Sequence, residues 1–428
     1  MTYCTRRTRF LASTAAVGSL FGLAALSTAF GAGFDLPDQD GFTTGRGMTF
    51  VATADNPSAI YFNPSGITQI KGQNLRVGLY TIDLDPSFKP PAGSPINGTF
   101  HTKGSKLNSV PQFFYTYTPG DLPVSFGLGV YCPFGLSSHW PDGTGFRTVG
   151  TQGNLKYVTI NPVVAFKLSD HFSIGGGITV NYANTDLRQG LFWPTQPNDG
   201  FRFAGDGWGV GYDLGALWQV NEKLFFGASF RSSTDITLTG HTTAHNDVAV
   251  GPIPTFRQRI AASTDFQFPL KAIVGVSYRP TPAWNLEFDA DYTDWNQVQT
   301  LLIKQKSAPL VLPQNIPFVL DWQSSWYYEF GATRFFDNGF HVSAGYIFNE
   351  NSMPTAHYQP IVADLNRHFL SAGIGYSNKR FDFDIAYQFG IGESRKVTGT
   401  PVSAGGQTAD GTYGFISHAV AVSAGIKF

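Results

Sequence analysis

Two cysteines, nine histidines and thirty acidic residues are the raw material for chemistry in this 428-residue chain. Nucleophilic hydrolysis needs a serine or cysteine within reach of a base that a carboxylate or amide orients. Here the histidines are scattered and no serine motif marks a nucleophile, so no enzyme is expected. Cys4 falls in an N-terminal segment read below as removed, which leaves Cys132 alone, without the partner a disulfide or a thiolate metal cluster requires. Its simplest reading is a small packed side chain. His241 and His245 share one loop and offer two metal ligands, but no helix sets them on one face; neither a metal nor a cofactor is expected. A formal net charge of -1 supplies no basic stripe for nucleic acid. What remains is apolar recognition. Segments that read as exposed loops carry Phe134 and Leu136, Trp140, Leu191, Phe192 and Trp193, Phe201 and Phe203, and the run from Pro309 to Phe318. As a group they point to capture of a hydrophobic small molecule, although any one of them could instead pack loop against loop. A ligand bearing a carboxylate would need a buried cation. By location Arg147, Arg202 and Lys271 are the candidates, each with an ion pair or a polar interior as its alternative role.

The elements that must hold these residues are strands. Phe381, Phe383, Ile385, Tyr387 and Phe389 share one parity, and Asp382, Asp384, Ala386, Gln388 and Gly390 the other. Val420, Val422, Ala424, Ile426 and Phe428 form a similar row at the end of the chain, as do Trp284, Leu286, Phe288, Ala290 and Tyr292. Side chains alternate between faces along a strand, so each strand has an apolar face and a polar one. An all-β transmembrane antiparallel barrel explains this, because lipid solvates its outside and water or a plug its inside. A carboxylate facing lipid is costly, so Glu287, Asp289, Asp291, Asp382 and Asp384 are expected to face the lumen. Composition agrees: 14% charged residues is well below the roughly 25% of soluble domains. A slightly negative mean hydropathy excludes a bundle of membrane helices.

About fourteen strands are expected, near 72–82, 108–118, 123–133, 153–168, 171–185, 208–220, 223–238, 269–280, 283–300, 320–336, 339–349, 366–377, 380–391 and 414–428. Six short turns alternate with long excursions near 83–107, 134–152, 186–207, 239–268, 301–319, 350–365 and 392–413. Short turns belong on the periplasmic side and long loops outside, and an even strand number puts both ends of the mature chain in the periplasm. Residues 1–31 read as a cleavable secretory signal: Arg6, Arg7 and Arg9, an apolar run from Phe10 to Phe30, and Ala29 and Gly31 before the cut. Residues 72–428 then form the barrel. Residues 32–71, rich in Gly and Pro punctuation, do not alternate. They read either as a disordered periplasmic leader or as a plug inside a lumen too wide for its own side chains to fill.

The segment Asp55-Asn-Pro-Ser-Ala-Ile-Tyr-Phe-Asn-Pro-Ser-Gly-Ile-Thr68, a short way after Ala32-Gly33-Phe34, resembles the N-terminal hatch of the FadL-type outer-membrane transporters of long-chain fatty acids and aromatic hydrocarbons. Further matches run along the chain: Gly127 to Leu136, Ile160-Asn-Pro162, Gly205 to Gly215, Gly275-Val-Ser-Tyr278, Asp294-Trp295, and Asp364 with Arg367-His368. Asn63-Pro64-Ser65 departs slightly from the family's Asn-Pro-Ala. The resemblance implies fourteen strands, residues 32–71 as the hatch, a bacterial outer-membrane location among its lipids and a monomer. It also implies that ligand passes from the loops to a pocket lined by the mature N-terminus, with Phe34 and Leu36 in contact, and leaves sideways beside the third strand. There Gly127 and Gly129 suit a kink and Pro133 removes a ladder donor. The rival readings are a general hydrophilic porin, whose lumen the inward carboxylates would line, and an outer-membrane hydrolase.

Overall fold

The computed structural model describes residues 33–103, 107–120, 122–192, 199–308 and 310–428. The signal expected at 1–31 and Trp193 lie outside them. Fourteen antiparallel strands close into a barrel: β1 (Gly72–Lys89), β2 (Leu107–Thr118), β3 (Val124–Tyr131), β4 (Gln152–Lys167), β5 (Phe172–Gln189), β6 (Asp199–Gln219), β7 (Leu224–Arg231), β8 (Lys271–Tyr278), β9 (Trp284–Thr293), β10 (Ser325–Phe335), β11 (Phe340–Asn349), β12 (Arg367–Ser377), β13 (Phe381–Gly392) and β14 (Gly411–Lys427). Closure is made by β14 against β1, in a register that sets Leu75 opposite Ile426 and Val77 opposite Ala424. Closing removes the edges that an open sheet would expose to lipid. The outward rows are the expected ones. On β6 they run Trp208, Val210, Tyr212, Leu214 and Trp218, all exposed, with a tryptophan at each end of the band. Short turns on one side make that side periplasmic, and both ends of the barrel lie there in the outer membrane.

Where the expected excursions begin, the wall does not stop. A hairpin of Thr234–Asn246 and Phe256–Phe268 occupies the expected loop 239–268, and Thr300–Gln305 pairs with Asn315–Val319 in the loop expected at 301–319. Likewise β5 and β6 extend to Gln189 and back to Asp199. Above the membrane the outer face meets water, so the alternation that marks a lipid-facing strand reverses. Phe201, Phe203, Ile236, Leu238 and Phe268 are buried inward, whereas Arg188, Asp235, Thr237 and Asp265 are exposed outward. The strands persist while their polarity inverts, which hides them from a search for apolar rows facing out.

Residues 33–71 plug the lumen. Asp40 caps α1 (Gly41–Gly45), its carboxylate accepting from Phe42 N at 2.9 Å, and is bound in turn by Arg76 of β1. After α2 (Ala59–Phe62), Asn63 caps the 3-10 turn Pro64–Gln69, with Pro64 in the first position, where a missing N–H costs nothing. The Asn63 amide also donates to Val51 O at 2.7 Å and to Ala216 O of β6 at 2.9 Å, and Ser65 Oγ donates to Asn63 Oδ1 at 2.6 Å. Thus the Asn-Pro-Ser tripeptide is a bracket that fixes hatch to wall. The hatch backbone approaches so closely that a Cβ at Gly227 would collide with Val51 O, and one at Gly345 with the Arg46–Gly47 peptide.

The lumenal carboxylates hold this plug. Glu287 Oε1 accepts from Ala52 N at 2.8 Å and Thr53 N at 3.1 Å; Asp289 Oδ2 accepts from Phe50 N at 2.8 Å and Val51 N at 3.0 Å. Arg46 pairs with Glu287 at 3.1 Å, and Arg76 joins Asp40 to Asp382 and Asp384. Hydrogen bonds to charged groups contribute about 1.5–3 kcal/mol each. Glu287→Ala should therefore loosen the hatch, with amide exchange at Ala52 and Thr53 at least about tenfold faster, or ~1.4 kcal/mol. Unchanged exchange by mass spectrometry would reject the clamp.

Candidate ligand pocket and the break in the wall

The inverted strands enclose an apolar chamber above the hatch. Two adjoining cavities, of about 100 and about 70 Å³, share Phe34, Leu136, Leu187, Phe266 and Leu301 as lining. Phe201, Ile303, Phe318, Trp322 and Ile361 complete the first cavity, and Phe203, Leu238 and Phe268 the second. Phe34 forms the floor. Its ring meets Trp295 edge-on at 4.9 Å, Trp322 at 5.6 Å, Phe266 at 5.7 Å, and Phe134 and Phe268 at 6.0 Å. Gly33 permits this stacking: at φ +62° it takes a left-handed turn, and a Cβ there would lie 2.6 Å from the Trp295 ring.

Polar groups near the chamber are few. Among the described residues the buried indole N–H groups of Trp295 and Trp322 meet no partner, and of the two Trp322 lines the chamber. Arg188 touches the rim, but its guanidinium is paired with Asp186 at 2.9 Å on the outer face. The three cations expected to meet a carboxylate are instead engaged within the protein. Arg147 pairs with Asp199 at 2.6 Å, Arg202 with Asp186 at 2.9 Å, and Lys271 with Asp35 at 2.7 Å and Asp291 at 2.9 Å.

Among the apolar residues expected from the sequence, Phe34, Leu136, Phe201, Phe203 and Phe318 line the chamber, and Phe134 packs against its floor. Leu36 faces a separate small cavity beside Asp35, Asp38 and Tyr80. Leu191 and Phe192 are held by their backbone N–H groups on the Asp199 carboxylate, at 3.0 and 3.1 Å, away from the lining. Leu187, Phe266, Leu301, Trp322 and Ile361 were not singled out. Phe266 and Phe268, alternating with Asp265 and Gln267, carried a readable signal, that of a strand with its apolar face inward. Trp322 shares the parity of Leu320 and Trp326 in the strand expected near 320–336, which would turn it to lipid; the strand begins only at Ser325, and Trp322 lines the cavity instead. His241 stands 3.2 Å from an Arg259 nitrogen, and among the described residues no three His, Cys, Asp or Glu side chains gather as a metal site.

The wall breaks beside β3. Pairing of β3 with β2 ends at Val130 opposite Phe113, while pairing with β4 stops at Tyr131–Thr159 and resumes at Gly135–Lys156. Above Phe113, β2 stays in register with β1 but no longer with β3. The N-terminal segment fills this notch like a short strand. Leu36 N donates to Pro133 O and Gly135 N to Phe34 O, both at 2.8 Å. Gln39 donates to Cys132 O at 2.8 Å and accepts from Cys132 N at 3.3 Å, while Gln112 of β2 donates to Asp38 O at 3.1 Å. Gly127 and Gly129 lie lower, where β3 is paired on both sides, and the room they leave is taken by Ile60 of the hatch.

A lipid-facing barrel of fourteen strands, filled by its own N-terminal hatch and carrying an apolar chamber above it, is an outer-membrane transporter of the hatch-plugged class. The chain belongs to the family described as outer membrane protein transport protein (OMPP1/FadL/TodX), whose model matches residues 22–428. Its relatives include the long-chain fatty acid transport protein of Salmonella typhi, 23% identical over 423 residues that cover 92% of this chain and 95% of that one. The protein of the same name from Escherichia coli K12 is 22% identical over 434 residues, with the same coverage. Among solved structures, a FadL homologue of Pseudomonas aeruginosa superposes with a TM-score of 0.81 at 20% identity, covering 93% of this chain and 100% of that one. The toluene transporter TodX of Pseudomonas putida gives a TM-score of 0.70 at 14% identity, with coverages of 92% and 100%.

Asp38, at the notch, accepts from Thr44 Oγ1 at 3.2 Å and Gln388 Nε2 at 3.1 Å, and burial pushes its carboxyl up to about 7. An unfolded Asp titrates near ~3.9. Between those values the folded state binds more protons than the unfolded one, so docking of this segment weakens as pH rises from about 4 to about 7 and then levels off. Amide protection at Leu36 and Gln39, corrected for intrinsic exchange, should be lower at pH 8 than at pH 5. In Asp38→Asn the two values should coincide. Equal protection in the wild type at both pH values would contradict the assignment.

Proposed function

We propose that this protein takes up hydrophobic compounds, long-chain fatty acids or aromatic hydrocarbons, by capturing them at the apolar extracellular loops, passing them to the chamber over Phe34 and releasing them sideways through the notch between β2 and β3. One observation carries the proposal. Phe34 is the floor of the chamber, and its own carbonyl and the next two residues close the notch. Withdrawal of this one segment would open the floor and the wall together. A hydrophobic ligand gains a route that stays apolar, and the water that would fill a porin is excluded by the hatch. The relatives named for long-chain fatty acid transport and the structures named as toluene transporters support both ligand classes. An aliphatic tail or an aromatic ring suits the chamber. Gly127 and Gly129 would help by admitting movement of Ile60 against β3, and transport requires only one copy of the chain.

The general porin reading rests on lumenal carboxylates as a ring of free charge, but Glu287 and Asp289 are spent on hatch N–H groups and Asp382 and Asp384 on Arg76. Saturable binding of a long-chain fatty acid or of toluene to the detergent-solubilised protein is expected, about tenfold or more weaker in Phe34→Ala, since truncating a buried Phe removes several kcal/mol of packing, of which ~1.4 kcal/mol already gives that factor. Absence of binding, with free passage of ions through the reconstituted protein, would establish the porin instead.

A further inference from the structure

We infer that the wall carries a second lateral opening, an entrance for neutral hydrophobic compounds, between the hairpin arm Phe256–Phe268 and the segment that follows β9. This deepens the reading of the chamber as the ligand site and rests on it. Below the opening the two edges are joined by Asp294 N donating to Leu270 O at 3.0 Å. Above it they are joined by the pairs Ala262–Gln305 and Ser263–Lys304 and by Lys306 N donating to Ala261 O at 2.9 Å. Between these closures, among the described residues, 264–269 and 295–303 exchange no backbone hydrogen bond. A void of about 460 Å³ fills the interval. Its floor includes Phe266 and Leu301, and both side chains also line the chamber from within. Two apolar side chains therefore stand between the outside and the pocket, and rotamer changes alone can part them.

The position and the rim say what would enter. Immediately before this segment on the chain, Tyr292 packs outward against Trp326 with ring centroids 5.0 Å apart, at the upper border of the lipid-facing band, so the window opens at the membrane–water interface of the outer leaflet. Its rim carries the amides of Gln267, Gln297 and Gln299 and the carboxylates of Asp235 and Asp265. Asp265 is offset by Lys304 at 3.0 Å, which leaves Asp235 as excess negative charge. Amides can hydrogen-bond a hydroxyl, amine or ester, whereas the excess charge disfavours a carboxylate. A neutral amphiphile already partitioned into the interface would thus slide its apolar part between Phe266 and Leu301 without crossing the loops.

The test blocks the rim without touching the chamber. Gln267→Cys and Gln299→Cys, made separately, are modified with a bulky maleimide and labelling is verified by mass; Cys132 is buried. Stopped-flow association of N-phenyl-1-naphthylamine, a neutral fluorescent probe, is compared with that of cis-parinarate, a carboxylate. Modification at either position should slow the neutral probe at least fivefold and the carboxylate less than twofold, with Kd for both within twofold of the unmodified variants. Binding that persists at unchanged rates in both modified variants overturns the window alone. Equal slowing of the two probes overturns its preference for neutral compounds. Failure of the unmodified wild type to bind either probe removes the chamber reading, and the window with it.

Discussion

Two adjacent carboxylates on one strand hold this molecule in its plugged state. Glu287 and Asp289 point inward from β9 and between them accept the backbone N–H groups of four consecutive hatch residues, Phe50 to Thr53. A segment with no sheet of its own must satisfy its N–H groups somewhere, and the inward carboxylates of β9 are within reach. Arg46, anchored in the same hatch, offsets the Glu287 charge, so plug and wall complete each other's electrostatics. Without that exchange the barrel would enclose water and free charge, which is the architecture of a porin.

The chamber depends on the clamp in turn. Because the hatch is fixed low in the lumen by the carboxylates and by the Asn63 bracket, its N-terminal stretch is free to rise to the notch and set Phe34 under the apolar cavity. The wall supplies the rest by changing its polarity with height. Within the membrane β6 presents Trp208 to Trp218 outward; above it the same strand turns Phe201 and Phe203 inward and Arg202 outward. A single rule, that each face matches its solvent, thus yields a polar lumen where a peptide plug must be bound and an apolar lumen where a hydrocarbon must be.

Breaks in the ladder are equally informative. Beside β3 an incomplete register leaves backbone groups that the N-terminal segment pairs, so the notch is closed by a removable strand. Beside the Phe256–Phe268 arm the interval is closed by side chains alone. A strand-like closure opens by moving the hatch, and a side-chain closure by changing rotamers. The two sites therefore differ in cost and in what can trigger them.

Local patterns along the chain already encode the barrel, its strand number, the inward carboxylates and the family to which its hatch motif belongs. Period-two alternation against lipid is a local signal, and the hatch tripeptide lies in one short stretch. The sequence also placed Leu136, Phe201 and Phe203 among the binding candidates, because their apolar side chains stood out in segments expected to be exposed, and Phe34 through the resemblance of its segment to the family's hatch. Folding in three dimensions is what sets Leu191 and Phe192 off the cavity, gives Arg147, Arg202 and Lys271 their carboxylate partners, and brings Phe266, Leu301 and Trp322 to the pocket. The physical reason is the same in each case. Above the membrane the lipid no longer dictates which face is apolar, and a cavity wall assembled from several strands and loops is defined by closure in space, which no stretch of the chain encodes alone.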